Sequence, residues 1–283
     1  MSCDLHTHSN YSDGTMSPSE LITEAKRLGI TIALTDHNTV AGATEFLAEA
    51  ERLGVTAVAG TELTVDYKGT ELHLLGLFIA PEHFDELERL TRKYALLKER
   101  NNAELIGRLN KAGYRIDYEK VKAHTAKGNV NRAHIAAELV TMGYVACRDE
   151  AFDTLLKEGN GFYFPSERLD VLEAIGFFAN IKALPVLAHP MKELDETALR
   201  AFLPEAIAAG LVGMEVMHSD YSAEDADIAA KTAKEFGLLP SGGSDFHGAN
   251  KPHISLGTGK GRLSVPDGFY EGLYKEKNRR CTE

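Results

Sequence analysis

The chain has 283 residues, with 31 Lys and Arg against 42 Asp and Glu, a formal charge of −11. That length holds one large domain or a domain with an insertion, and the acidic balance argues against a basic face for extended nucleic acid. No apolar run approaches the roughly 20 residues that span a bilayer, no basic-then-apolar leader opens the chain, and the scattered Cys3, Cys147 and Cys281 suit a reducing, cytoplasmic setting without a CxxC zinc site.

In chain order, the first expected strand ends in Asp4-Leu5-His6-Thr7-His8, with Asp13 five residues on. Side chains on a strand alternate, so His6 and His8 share a face. Ser17-Pro18-Ser19-Glu20 then offers a capping Ser, Pro at the first helical position and a Glu placed for a capping box. From here a unit repeats: an amphipathic helix ends in Gly, and a short apolar strand follows and runs into a polar residue. Gly29 leads to Asp36-His37, Gly54 to Thr61-Glu62, Gly210 to His218 and Gly237 to Ser244-Asp245, while residues 181–188 reach His189 without a Gly. Gly supplies the left-handed position after a helix. Near-continuous apolar strands alternating with helices predict a parallel sheet covered by helices. Five or six such units, with a hairpin over 65–79, predict an irregular β/α barrel whose polar strand ends form the rim that carries active sites.

Residues 81–168 break the repeat. They read as helices over 82–111, 117–123, 131–142 and 148–158, without a comparable apolar strand. The expectation is a helical insertion (81–168) covering the mouth of a barrel made by 1–80 and 169–283, with a last helix over 268–279.

His6, His8, Asp13, His37, Glu62, His189, His218, Asp245 and His247 therefore stand at strand ends, and His73 lies on the strand paired with that of Glu62. A lone strand histidine is more often a hydrogen-bonded structural residue. So many imidazoles and carboxylates on one rim would crowd like charges and unsatisfied nitrogens, a difficulty that divalent metals remove.

These residues, in the order His6-Thr7-His8-Ser9 through Ser12-Asp13-Gly14, Thr35-Asp36-His37-Asn38-Thr39, Gly60-Thr61-Glu62, His73, Ala188-His189-Pro190 and Ser244-Asp245-Phe246-His247, resemble the polymerase and histidinol phosphatase (PHP) family across nearly the whole barrel. The resemblance implies an α/β fold, a distorted (β/α)7 barrel with a helical insertion, holding two or three divalent ions: Mn2+, with Fe2+ or Zn2+ as alternatives. It implies a first ion on His6, His8, Glu62 and Asp245, a second on Glu62, His73 and His189, and a third on Asp13, His37 and His247. These donor types do not choose the metal. Such ions would outweigh the three carboxylates and draw phosphate in, and a hydroxide held between two of them would attack phosphorus without a Ser or Cys nucleophile. His218, unused in that scheme, is the candidate phosphate ligand or acid, with an outer hydrogen-bonding role as the alternative.

Asn131-Arg132-Ala133-His134 opens a predicted helix in the insertion. A helix N-terminus is an anion site and Arg grips phosphate bidentately, so Asn131, Arg132 and His134 are candidate substrate-binding residues. Lys127, Lys251 and His253 are further candidates, whereas His83 and His124 read as surface residues. A second anion reader implies two phosphates on the substrate. Within the family the pattern resembles the branch that removes the 3′-phosphate of nucleoside 3′,5′-bisphosphates and also trims RNA from its 5′ end. The expected partners are such a bisphosphate or a short 5′-phosphorylated RNA. A histidinol-phosphate phosphatase, a polymerase-associated exonuclease and a non-catalytic metal-binding module are the competing readings.

Overall fold

The first strand, β1 (Ser2–Asp4), runs parallel to β2 (Thr31–Leu34), and α1 (Pro18–Leu28) lies between them in sequence. Its ends follow from its residues. Ser17 Oγ accepts the Glu20 N–H at 3.2 Å, Glu20 accepts the Ser17 N–H at 2.7 Å, and Gly29 takes a φ of 68°. The coordinates are a computed structural model that describes residues 2–124 and 130–282; Lys127 lies outside the described residues.

After α2 (Ala43–Leu53), β3 (Ala57–Tyr67) turns at Lys68-Gly69 into β4 (Thr70–Leu77). Both turn residues have positive φ, as a two-residue hairpin turn requires. The first hairpin strand begins at Ala57, ahead of the expected 65, because Glu62 and the hairpin belong to one strand. Helices α3 (Phe84–Lys111), α4 (Tyr118–Lys122), α5 (Arg132–Thr141) and α6 (Arg148–Ala151) follow, the last continuing as a π turn over Phe152–Leu156. From Leu105 on, their buried residues, among them Leu109, Ile135, Leu139 and Leu156, form a cluster separate from those of the strands, whereas Leu87 at the start of α3 packs with Leu63, Val65 and Leu72. Then come β5 (Leu169–Asp170), α7 (Val171–Asn180), β6 (Leu184–Leu187), α8 (Glu196–Ala209), β7 (Gly213–His218), α9 (Ala223–Glu235), β8 (Leu239–Gly243), β9 (Val265–Pro266) and α10 (Asp267–Thr282). The two-residue strands β5 and β9 are too short to show alternation, so the sequence does not announce them.

Among the described residues, the strands are ordered β8-β7-β6-β4-β3-β2-β1-β9, with β5 beside β3. The ends of β1 and β8 meet. The Leu5 N–H donates to the Gly242 carbonyl (3.1 Å), the Asp245 N–H to that of His6 (2.9 Å) and the His8 N–H to that of Phe246 (2.9 Å). Asp4 clamps this seam by accepting from Ser244 N (2.8 Å), Ser244 Oγ (2.6 Å) and Gly257 N (2.8 Å). The result is a nearly closed barrel of β1–β4 and β6–β8, distorted because β4 is antiparallel to both β3 and β6. Leu5, Ala33, Val58, Leu75 and Val186 fill it, whereas Ile32 and Leu34 point outward onto Leu21, Ile22 and Phe46 of α1 and α2. No helix among the described residues is long and apolar enough to cross a membrane.

α7 approaches β4 so closely that a Cβ at Gly76 would stand 2.3 Å from the Phe178 ring. Gly76→Ala should therefore cost about 1–3 kcal/mol by overpacking. In urea denaturation the same change in a Phe178→Leu background should cost clearly less.

Candidate metal centre

The strands deliver their donors to one rim. His6 and His8 follow β1, His37 follows β2, Glu62 lies in β3, His189 follows β6, His218 ends β7, and Asp245 and His247 follow β8. In a parallel strand His73 would sit near the far end. Because β4 is antiparallel, Thr64 faces His73 across the ladder and His73 becomes the diagonal neighbour of Glu62 on the same face. The Asp13 loop is set by Asp36, which accepts from Ser9 N (2.7 Å), Ser9 Oγ (2.6 Å) and Ser12 Oγ (2.6 Å). His189 and Asp245 hold φ of 24° and 56°, strained values for non-glycine residues of the kind found at functional sites.

Glu62 is the hub. Its Oε2 lies 3.2 Å from His6 Nε2, 3.3 Å from His8 Nε2 and 3.0 Å from His37 Nδ1; its Oε1 lies 2.7 Å from His73 Nδ1 and 3.0 Å from His189 Nε2. Asp245 Oδ1 is 3.3 Å from His8 Nε2 and 3.8 Å from His6 Nε2. Asp13 Oδ1 is 3.2 Å from His247 Nε2 and 3.8 Å from His37 Nε2. The ligand atoms fall into overlapping groups within 4.8 Å: His8-Asp13-His37-His247, His6-Glu62-His189, His6-His8-Asp245 and His37-Glu62-His73. The nine rim residues expected as metal ligands are all in them. The groups cut across the three sets implied by the resemblance, for His8 joins Asp13 as well as His6, and His37 joins Glu62 as well as Asp13.

Among the described residues, His6 Nε2, both His8 ring nitrogens, His37 Nδ1, Asp13 Oδ1, Glu62 Oε2 and His218 Nε2 are buried without a hydrogen-bond partner. Each such atom costs on the order of 1–3 kcal/mol if left unmet, and here they face one another. Imidazole nitrogen and carboxylate oxygen at this spacing fit divalent cations. The outward nitrogens fit too, since metal-binding histidines are oriented by a second acceptor. His6 Nδ1 lies 3.1 Å from Glu215, His189 Nδ1 3.1 Å from Glu193, and His247 Nδ1 donates to the Asp245 carbonyl at 2.8 Å. That last bond leaves the His247 Nε2 lone pair facing Asp13. His218 is the reverse case. Its Nδ1 accepts the Asp220 N–H at 3.1 Å, so in the neutral ring Nε2 carries the proton and points at Asp245 Oδ2, 3.6 Å away. Asp220 groups with His218 and Asp245 but is held by Lys260 at 2.8 Å.

Burial opposes ionisation of Glu62, yet His37, His6 and His73 hold its carboxyl well below the usual range. Burial also pushes the His8 and His73 imidazoliums down, but Asp245 and Glu62 reverse this for His8, to about 9, and Glu62 and Glu71 for His73, to about 10.

A cavity of about 240 Å³ opens beside the cluster, lined by Asp13, His37 and His73 on one side and by Asn131, Arg132, Lys98 and Arg168 on the other. Of the expected substrate readers, Arg132 faces this cavity. Asn131 also lines it, but its Nδ2 donates to Asp13 Oδ2 at 2.9 Å. His134 is turned into the capping box of α5, accepting the Asn131 N–H at 3.1 Å, and does not line the cavity. Lys251 binds Asp245 Oδ2 at 2.6 Å, and His253 is exposed. His83 pairs with Glu86 and His124 with Glu138. Sequence reading missed Glu215, Glu193, Glu71, Lys98 and Arg168. Glu215 had a signal, a charge inside an apolar strand, which needs a buried partner. Glu71 lies near the hairpin turn at the start of β4, and the others sit on helices or in loops, where charge is ordinary.

The PHP domain pattern matches residues 4–174. A 5′-3′ exoribonuclease of Haemophilus influenzae is 33% identical, over 86% of this chain and 89% of the relative. A phosphoribosyl 1,2-cyclic phosphate 1,2-diphosphodiesterase of Eggerthella lenta is 32% identical, over 89% and 97%. A 3′,5′-nucleoside bisphosphate phosphatase of Chromobacterium violaceum is 30% identical, over 86% of each. A solved structure from Bifidobacterium adolescentis, provisionally described as a metal-dependent phosphoesterase, superposes with a TM-score of 0.86 at 27% identity, over 97% of this chain and 96% of that one. The chain belongs to the PHP domain family, as a metal-dependent phosphoesterase.

Cations and protons compete for the same nitrogens. Because His8 and His73 hold protons to about pH 9 and 10 in the metal-free cluster, divalent ions should bind with proton release. Apparent Mn2+ affinity, read by calorimetry in buffers of different ionisation enthalpy, should rise between pH 6 and 9, about tenfold per pH unit for each proton displaced. An affinity independent of pH would contradict this.

Proposed function

We propose that the protein removes the 3′-phosphate of nucleoside 3′,5′-bisphosphates, releasing the 5′-monophosphate and phosphate, with Mn2+ in the rim cluster and residues 81–168 as a lid. The observation that carries this reading is a second anion site beside the cluster. Glu71 pairs with both Arg132, at 3.4 Å, and Arg168, which also meets Asp66 at 3.6 Å, and it lies 3.7 Å from His73. Half-buried Lys98 adds a cation that no ion pair among the described residues neutralises; burial lowers its pKa and nearby Glu71 resists. The excess positive charge suits a phosphate that is bound and not cleaved. Tyr94, Phe152 and Tyr163 line the same cavity, and the Tyr163 ring lies 4.1 Å from the Arg132 guanidinium. Nucleobases stack on such rings.

Held by the rim residues, divalent cations would polarise the phosphoryl oxygens and lower the pKa of water. The protein's own groups do the rest. Arg132, Arg168 and Lys98 would hold the 5′-phosphate so that the 3′-phosphate reaches the cluster. His218 Nε2–H, which points at Asp245 Oδ2 3.6 Å away without a hydrogen bond, would donate to a phosphoryl oxygen or to the departing 3′-oxygen. The relatives' names agree on phosphate-ester hydrolysis and differ on the substrate. A second reading, cleavage of the first phosphodiester of a 5′-phosphorylated RNA, uses the same register and the same departing 3′-oxygen, with the rest of the RNA carried on the attacked phosphoryl group.

With Mn2+, kcat/KM should be highest for adenosine 3′,5′-bisphosphate when compared with a 5′-phosphorylated oligoribonucleotide, 5-phosphoribosyl 1,2-cyclic phosphate and histidinol phosphate. Preference for any of the other three overturns the substrate assignment. Arg132→Ala should raise KM for the bisphosphate about 10–100-fold, the value of a charged hydrogen bond. It should leave hydrolysis of p-nitrophenyl phosphate nearly unchanged.

A further inference from the structure

The partners of Glu62 and Asp245 come from the barrel and its strand-end loops: Glu62 turns both oxygens onto rim histidines, Oε1 meeting His73 and His189, and Asp245 Oδ2 meets Lys251. Asp13 differs. Its Oδ2 accepts the Asn131 Nδ2–H at 2.9 Å, and Asn131 is the N-cap of α5 in the helical segment. Oδ1 is left buried and unpartnered, facing His247, His37 and His8. The same segment reaches the Asp13 backbone by a second route: Arg148 of α6 donates to Asn250 Oδ1 at 2.7 Å, and Asn250 Nδ2 donates to the Asp13 carbonyl at 2.6 Å. Asn131 is itself fixed, because its Oδ1 caps α5 by accepting the His134 N–H at 3.2 Å.

We propose that Asn131 is a positioning residue of the metal centre: by occupying Asp13 Oδ2 it aims Oδ1 at the three imidazoles, so the cation site of His8, Asp13, His37 and His247 is complete only with α5 seated. Asn131 then acts through Asp13 and not as a substrate contact. Without that amide the Asp13 carboxylate is free to turn about its own side-chain bonds, and loss of such an outer partner typically weakens metal binding about 10–100-fold. The inference does not depend on which phosphate ester is cleaved.

The test uses the full-length protein without substrate. Asn131→Ser keeps a good N-cap but cannot reach Asp13. Asn131→Asp also caps and sets a carboxylate against Oδ2. In both, one Mn2+, the same one that Asp13→Ala loses, should bind about 10–100-fold more weakly by calorimetry and metal analysis, with the remaining ions held as in the wild type. Asp13→Ala should show the same single-ion loss. A merely structural role would lower the melting temperature without singling out one ion. If either folded variant binds every ion with wild-type affinity, or loses all ions equally, the proposal is overturned. Because substrate is absent, a wrong substrate assignment leaves the result untouched.

Discussion

A buried carboxylate surrounded by imidazoles is the constraint around which the rest is arranged. Glu62 has five histidine nitrogens within 3.3 Å, and none of the surrounding donors can satisfy all its neighbours by proton sharing alone. Protonating every ring would place like charges together. Leaving every ring neutral would set lone pairs against carboxylates, because His6, His189 and His247 turn their Nδ1 outward to Glu215, Glu193 and the Asp245 carbonyl. Divalent ions resolve the conflict, since each accepts several lone pairs at once and supplies the charge that the carboxylates need. The strained backbone at His189 and Asp245 is consistent with a rim shaped for ligation before it is shaped for stability.

Two departures from a regular parallel barrel put the ligands there. The antiparallel β4 returns His73 to the rim, and the seam between β1 and β8 brings the two His-bearing ends side by side. At that seam Asp4 gathers Ser244 and Gly257, while Gly243 gives the close approach: a Cβ on it would come 2.4 Å from the His6 Cβ. The barrel closes most tightly where His6, His8, Asp245 and His247 meet, so closure and site assembly are one event.

The sequence made the rim legible because strand periodicity and strand-end position are local properties. His6 and His8 needed only the alternation of a strand, and the capping box at Ser17 needed only four residues. What it hid depends on distance. Nothing near Lys98 in the chain says that it will stand beside Arg168, or that Glu71 will serve both arginines and His73. Asn131 and His134 illustrate the limit best. Their pattern at a helix start reads equally as an anion site and as a capping box, and the structure uses it for capping while sending the Asn131 amide to Asp13, 118 positions away. The two-residue strands β5 and β9 were hidden for another reason, being defined by their partners and not by their own residues.

Under the proposed reading, Glu71 gives the two anion-handling regions their order. It stands between His73 of the cluster and the Arg132–Arg168 pair, so positive charge on either side is separated by a carboxylate that repels phosphate. A ligand with a single phosphate can occupy one side and leaves the other unmet. A ligand with two phosphates a ribose apart can meet both while its sugar passes the carboxylate. Under the proposed reading, discrimination comes less from what the cavity attracts than from the cations a smaller ligand leaves unpaired, which is how sites built from buried polar groups reject analogues lacking one group.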